Sequence, residues 1–230
     1  MFTQEQSLQL KAQGFLSIDK FVSREDVDLL KEIIDPIVDD GLSGAHGGGR
    51  DLADGSSPYV QILEIENPLA VDERLKSTSY VQRAIDATSR FLGRAGSVTY
   101  SHCIAKLPHS DKETAWHQDS AYTKGFTFHH RRLHWWLPLQ EATIDNGCLQ
   151  FVPASHLGTK VKHRSLGAHT HALTIDQSRP DRSVVCPLPV GGCTVHLPRT
   201  LHAAGPNRSP LRRTAFILQI GVRDLLPRFY

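Results

Sequence analysis

The sequence predicts an α+β chain that is mainly β: supporting helices over residues 1–93, then a jelly-roll barrel over residues 94–230. Three observations predict it. Before Gly93, apolar residues recur at helical spacing, as in Val27, Leu30, Ile33, Ile34, Ile37 and Val38. After Gly93 the pattern turns to short apolar or alternating runs, separated by turn residues such as Asp145-Asn146-Gly147 and Val190-Gly191-Gly192. No repeat or linker divides the 230 residues, so one domain spanning 1–230 is expected.

Thr3 with Gln6 forms a capping box and Gly14 supplies a stop, which predicts a short first helix. Phe15, Leu16, Ile18 and Phe21 predict an extended segment, and Ser23 with Asp26 starts the second helix. From Gly41 to Ser57 the chain is rich in Gly, Ser and Asp and reads as a surface loop. It lacks the Gly-Lys-Ser/Thr ending and following helix of a phosphate cradle. A helical pattern returns between Asn67 and Gly93. Strands are then expected at Val98–Lys106, Leu133–Leu139, Cys148–Val152, Cys193–Leu197 and Thr214–Val222.

Composition narrows the function. Hydrophobic residues at 40% and charged residues at 22% are the balance of a globular chain with enough apolar surface for a core. No apolar run approaches the ~18 residues of a membrane span, so no membrane partner is expected. Lys+Arg 26 against Asp+Glu 24 gives a net +2, too balanced for a nucleic-acid binder that works by neutralising phosphates. Cys103, Cys148, Cys186 and Cys193 form no CxxC pair and have apolar neighbours, which reads as buried thiols in a reducing compartment. The opening Met-Phe-Thr-Gln-Glu-Gln has no signal-peptide character and the closing Pro-Arg-Phe-Tyr no peroxisomal tripeptide, so a cytoplasmic location is expected.

Thirteen His direct attention to metal and acid–base chemistry. Two His-x-Asp pairs occur. His109-Ser110-Asp111 lies in a turn, whereas His117-Gln118-Asp119 is embedded in Thr114–Tyr122, a better strand. In a strand, residues two apart point to one face, so His117 and Asp119 can aim at one point. His202 sits far along the chain, and Arg213 follows eleven residues later at the head of a strand. Two His and one carboxylate leave half of an octahedral iron site open. A chelating 2-oxo acid and O2 can fill the open positions, and an Arg fork suits the distant carboxylate of that acid.

These pieces together resemble the phytanoyl-CoA dioxygenase family of Fe(II)- and 2-oxoglutarate-dependent oxygenases. The resemblance is carried by Trp116-His117-Gln118-Asp119, by Asp145 to His156, by Thr200-Leu201-His202 with Arg213, and by Gly14-Phe15-Leu16 near the start. It implies a double-stranded β-helix, cupin-like in form, with helices on the outside of one sheet. It also implies Fe(II) on His117, Asp119 and His202, with Arg213 holding the far carboxylate of 2-oxoglutarate. Trp135 matches a family aromatic lining the cosubstrate pocket, and the Val98–Lys106 strand is expected to give 2-oxoglutarate a polar contact from Tyr100, Ser101 or Cys103. His196 competes with His202, and Arg212 with Arg213; the family alignment and the eleven-residue spacing favour His202 and Arg213. His156 reads as a turn residue, and Trp116 and Trp136 have a core reading at least as good as a functional one. Related halogenases lack the carboxylate ligand, so Asp119 implies hydroxylation. Desaturation, cyclisation and epimerisation use the same oxidant.

The expected substrate is a small organic molecule, and the sequence gives no reading of oligomeric state. The expected substrate loops are Gly41–Ser57, Tyr122–Arg132 and Lys160–Arg182, with His129-His130-Arg131-Arg132 as a cationic cluster suited to an acid. A cupin-like isomerase, or a non-catalytic metal- or ligand-binding module, is the rival reading; it has no use for Arg213.

Overall fold

A computed structural model describes residues 2–44, 49–122, 131–176 and 180–222. Helix α1 (Gln4–Gln13) starts at the Thr3 capping box, where Thr3 Oγ1 accepts from Gln6 N and Gln6 returns the bond. Gly14 ends it with φ 85°, its N–H donating to Leu10 O. A side chain at Gly14 would also meet His156 and Thr200 at 2.4–2.6 Å. Glycine is therefore required there by backbone and by space. Strand β1 (Phe15–Ile18) follows, then α2 (Arg24–Ser43), capped by Ser23 and Asp26. Helix α2 runs three residues into the stretch read as a loop and ends on Gly44 in the left-handed conformation. The remainder of that stretch contributes β2 (Gly49–Asp51), which pairs with β3 (Ile62–Glu66). Neither strand is among those expected from the sequence: β2 is only three residues long, and β3 follows directly on the loop-like stretch with its alternation confined to Leu63–Glu66.

The second helical region is α3 (Pro68–Val71), a 3-10 turn, and α4 (Ser79–Leu92). The remaining strands are β4 (Ser97–Lys106), β5 (Thr114–His117), β6 (Arg132–Pro138), β7 (Leu149–Phe151) and β8 (His163–Ser165). After them come β9 (Leu173–Ile175), β10 (Val184–Cys186), β11 (Cys193–His196), β12 (His202–Ala204) and β13 (Arg213–Gly221). Among the described residues they make a seven-stranded sheet, β1-β11-β6-β13-β4-β3-β2, and a four-stranded sheet, β10-β7-β12-β5. Strands β8 and β9 form a separate two-stranded ribbon, with β9 packed beside β5.

Two apolar layers follow from strand alternation. One face of the large sheet (Leu133, Trp135, Leu137, Phe216, Leu218) packs on Val27, Leu30, Ile34 and Val38 of α2 and on α4. Each such buried aliphatic is worth about 1.5–3 kcal/mol. The other face (Trp136, Ala215, Ile217) packs on Leu149, Phe151 and Cys186 of the small sheet. All four cysteines are buried and free, as expected. No helix among the described residues is long and apolar enough to cross a membrane.

Ala154, in the turn after β7, is held at φ 59° by its N–H bond to Gln13 O. Ala154→Gly is expected to raise stability by about 0.5 kcal/mol, the left-handed penalty of alanine less the extra chain entropy of glycine. The urea midpoint measures it; a fall would mean the turn is unstrained.

Candidate active site

Register brings the two candidate histidines together. His117 at the end of β5 pairs directly with His202 at the start of β12, their ring centroids 4.2 Å apart. Asp119 follows at the head of a 3-10 turn, on the same side as His117. Its Oδ1 lies 3.4 Å from His117 Nε2 and 3.8 Å from His202 Nε2. Three ligand atoms thus fall within 4.8 Å of one another. Cis ligands on an octahedral metal sit about 3 Å apart, so a small contraction completes the set.

Both rings are fixed in the tautomer a metal needs. His117 Nδ1 is 2.7 Å from Ala115 O, and His202 Nδ1 is 3.0 Å from Thr200 O. Each Nδ1–H donates to its carbonyl, which leaves the Nε2 lone pair facing the cluster. Thr200 is itself pinned through its hydroxyl to Gly14 O at 2.7 Å, so the end of α1 helps place His202. Gln118, between the two ligands, is locked by His163 Nε2, Arg199 O and Val161 N. Burial pushes the His202 imidazole well below its ordinary pKa, and the nearby His117 charge adds to this. Burial also works against protonating His117, but the hydrogen bond and charge of Asp119 override it and raise that pKa. Burial alone would raise Asp119; the His134 and His202 charges hold its carboxyl well below the usual range.

Asp119 Oδ2 has two further partners, His134 Nδ1 at 2.6 Å and His196 Nε2 at 2.8 Å. His196 competes with His202 in sequence; here it sits opposite His134 across β11 and β6 and supports the carboxylate from behind. Asp119, His134 and His196 form a second compact group. Sequence reasoning missed His134, although the β6 alternation places it on the same face as Trp136.

Arg213 is 1% exposed and lines the same cavity. Its guanidinium lies 5.3 Å over the Trp136 ring, Nε reaches Asn146 O at 3.4 Å, and Nη1 has no partner. Burial lowers its pKa to about 10. Neighbouring Arg212 faces the other way and pairs with Asp35 at 3.0 Å and with Asp39 on α2. Lys106, opposite Arg213 on β4, gives its ammonium to the carbonyls of Lys112, Ala204 and Gly205 and so ties down the end of β12.

One expected contact is corrected. Trp135 lines no part of the cavity: its Nε1–H donates to Thr88 Oγ1 at 2.9 Å, and its ring stacks on Phe2. Strand alternation turns Trp135 to the helices and Trp136 to the cavity. On β4, alternation likewise turns Ser101 and Cys103 away and brings Tyr100 in. The Tyr100 hydroxyl, however, donates to Glu66 Oε1 at 3.1 Å, which ties it to that carboxylate.

The cavity measures about 680 Å³. Arg50 and Leu52, Tyr122, and Leu166, His171 and Leu173 bring all three expected substrate segments to its wall. His129 and His130 of the cationic cluster lie outside the described residues, and neither Arg131 nor Arg132 lines the cavity. His109 and Asp111 stay in a turn away from it. His156 binds Lys11 O at 3.0 Å, a structural contact.

The sequence profile of the phytanoyl-CoA dioxygenase family matches residues 10–215. A probable alpha-ketoglutarate-dependent hypophosphite dioxygenase of Stutzerimonas stutzeri is 28% identical over 99% of this chain and 81% of its own length. Phytanoyl-CoA dioxygenase domain-containing protein 1 of Bos taurus is 30% identical over 71% of this chain and 58% of its own. The crystal structure of EvdO2 from Micromonospora carbonacea var. aurantiaca superposes with a TM-score of 0.80 at 27% identity, covering 99% of this chain and 96% of that one. The same protein has also been solved in complex with 2-oxoglutarate. A profile match over most of the length, with the fold shared almost end to end, establishes that this chain belongs to the phytanoyl-CoA dioxygenase family.

Proposed function

We propose that the chain is a non-haem Fe(II)- and 2-oxoglutarate-dependent dioxygenase, one cytoplasmic domain built on a double-stranded β-helix. In this reading it hydroxylates an aliphatic C–H of a small organic molecule. His117 Nε2, Asp119 Oδ1 and His202 Nε2 hold the iron, and Arg213 holds the far carboxylate of 2-oxoglutarate. Iron and cosubstrate supply the oxidative chemistry: O2 converts 2-oxoglutarate to succinate and CO2, and one oxygen atom goes to the substrate. The chain's own part is to orient both and keep one C–H close. Trp136 and Ile217 give the cosubstrate a dry wall, where a charge pair is stronger than in water.

One observation carries the reading: a buried guanidinium with an unpaired nitrogen in the cavity of the three-ligand cluster. Such a charge is costly unless an anion completes it. A cupin-like isomerase or inert binding module would gain nothing from it. The cavity has the size of a small-molecule site, with room beside 2-oxoglutarate. An organic substrate therefore suits it better than the compact hypophosphite anion of the Stutzerimonas relative. Desaturation, cyclisation and epimerisation need the same residues; product analysis separates them.

Iron(II) and 2-oxoglutarate mixed anaerobically with the protein are expected to give a visible metal-to-ligand charge-transfer band. His117→Ala should abolish it. A band that is absent from wild type, or that survives in the variant, overturns the assignment.

A further inference from the structure

Strand β3 alternates so that Leu63 and Ile65 pack against the helices while Glu64 and Glu66 line the cavity. Glu64 is only 4% exposed. Its Oε1 accepts from His102 Nδ1 at 2.6 Å. His171 Nε2 lies 3.1 Å from Oε2 but off the line of a hydrogen bond, so that buried oxygen accepts none. Burial alone would raise this carboxyl; the His102 hydrogen bond and the charges of His102, His171 and Arg50 hold it below its ordinary pKa. Glu66 is paired with Arg50 and with the Tyr100 hydroxyl.

Glu64 lines the same cavity as His117, Asp119 and His202. The Tyr122 ring lies 5.8 Å from the His117 ring and 6.4 Å from that of His171. Leu52, Leu166 and Leu173 supply apolar wall around it.

Glu64 Oε2 keeps an ion-pair contact with His171 but no hydrogen bond, and a ligand donor supplies the missing one. An anion placed there would instead meet like charge in a poorly hydrated site. We propose that Glu64, with Glu66 beside it, selects a substrate whose carbon skeleton carries hydroxyl or amino donors, and disfavours carboxylates and phosphates. This rests on the iron and 2-oxoglutarate reading of the inner cavity and names the substrate class for it. It runs against the acidic substrate suggested by the His129–Arg132 cluster.

The test is a matched six-carbon series: 1,6-hexanediol, 6-amino-1-hexanol and 6-hydroxyhexanoate. Anaerobic calorimetry ranks their binding to protein holding iron(II) and 2-oxoglutarate. The diol or the amino alcohol should bind at least about tenfold tighter than the hydroxy acid. Advantage to the amine alone identifies a cation; parity of amine and diol identifies neutral hydroxyl recognition. Glu64→Gln should erase the preference while iron and 2-oxoglutarate bind as in wild type, and Glu66→Gln should reduce it. Should Glu64→Gln not fold, Glu66→Gln alone decides. An acid that binds as well as the others, no binding by any member, or a preference that survives substitution overturns the proposal. The visible band of the same samples reports separately on the iron reading.

Discussion

Asp119→Ala is expected to bind iron(II) roughly a thousandfold more weakly than wild type, equivalent to about 4 kcal/mol. It removes the one anionic ligand and leaves His117 and His202 alone. His202→Ala should weaken binding to a similar degree, and His196→Ala by roughly 10–100-fold, the usual cost of losing a partner behind a metal ligand. This ordering separates two overlapping groups, since Asp119, His134 and His196 are also compact enough for an ion. His134 Nδ1 and His196 Nε2 stand 2.6 and 2.8 Å from Oδ2. The first is an ion-pair contact and the second a hydrogen bond in which the His196 ring N–H donates to the carboxylate. In the other group both Nδ1 protons are spent on backbone carbonyls, and the lone pairs converge on Oδ1. The carboxylate is thereby divided, one oxygen for the metal and one for its two supports, which favours a single-oxygen ligand. Anaerobic equilibrium dialysis reads the affinities, and circular dichroism checks that each variant folds. Loss in His196→Ala without loss in His202→Ala would move the metal to the second group.

Much of this arrangement was legible because it depends on local chemistry. The Thr3–Gln6 and Ser23–Asp26 boxes, the Gly14 stop and the long β4, β6 and β13 runs announce themselves in a few residues each. The His117-Gln118-Asp119 spacing is equally local. Strands β2, β3, β8, β9 and β10 were not legible. They run three to five residues and depend on pairing with distant partners. Missing β3 meant missing Glu64 and Glu66, although the alternation in Leu63-Glu64-Ile65-Glu66 was a signal. The Trp135 error has a different origin. The match to the family supplied an aromatic, and only the phase of β6 relative to the sheet decides which of two adjacent tryptophans faces inward. The same one-residue phase put Arg213 inside and Arg212 on α2.

Replacing Arg213 by Met should separate stability from function. The wild-type guanidinium is buried, touches no carboxylate among the described residues and has one nitrogen, Nη1, without a hydrogen-bond partner. Exchanging an unpaired buried charge for an apolar chain of similar length is often neutral or stabilising. Arg213→Met is therefore expected to keep or raise the melting temperature of the ligand-free protein. Binding of 2-oxoglutarate should respond in the opposite direction. A charge-assisted fork to a carboxylate in a dry cavity is worth about 2–4 kcal/mol, so its dissociation constant should rise roughly 30- to 1,000-fold. Wild type should gain stability on adding 2-oxoglutarate with iron(II), and the variant should gain far less at the same concentration. Arg212→Met is the control. It breaks part-exposed pairs with Asp35 and Asp39, so it should cost at most about 1 kcal/mol of stability and leave 2-oxoglutarate binding intact. Calorimetry and thermal melts on the two variants give both quantities. Equal effects on 2-oxoglutarate from the two substitutions would remove Arg213 as the anion clamp. A large loss of ligand-free stability in Arg213→Met would show that the guanidinium serves the fold, through Asn146 and Trp136, and was not held in reserve for a ligand.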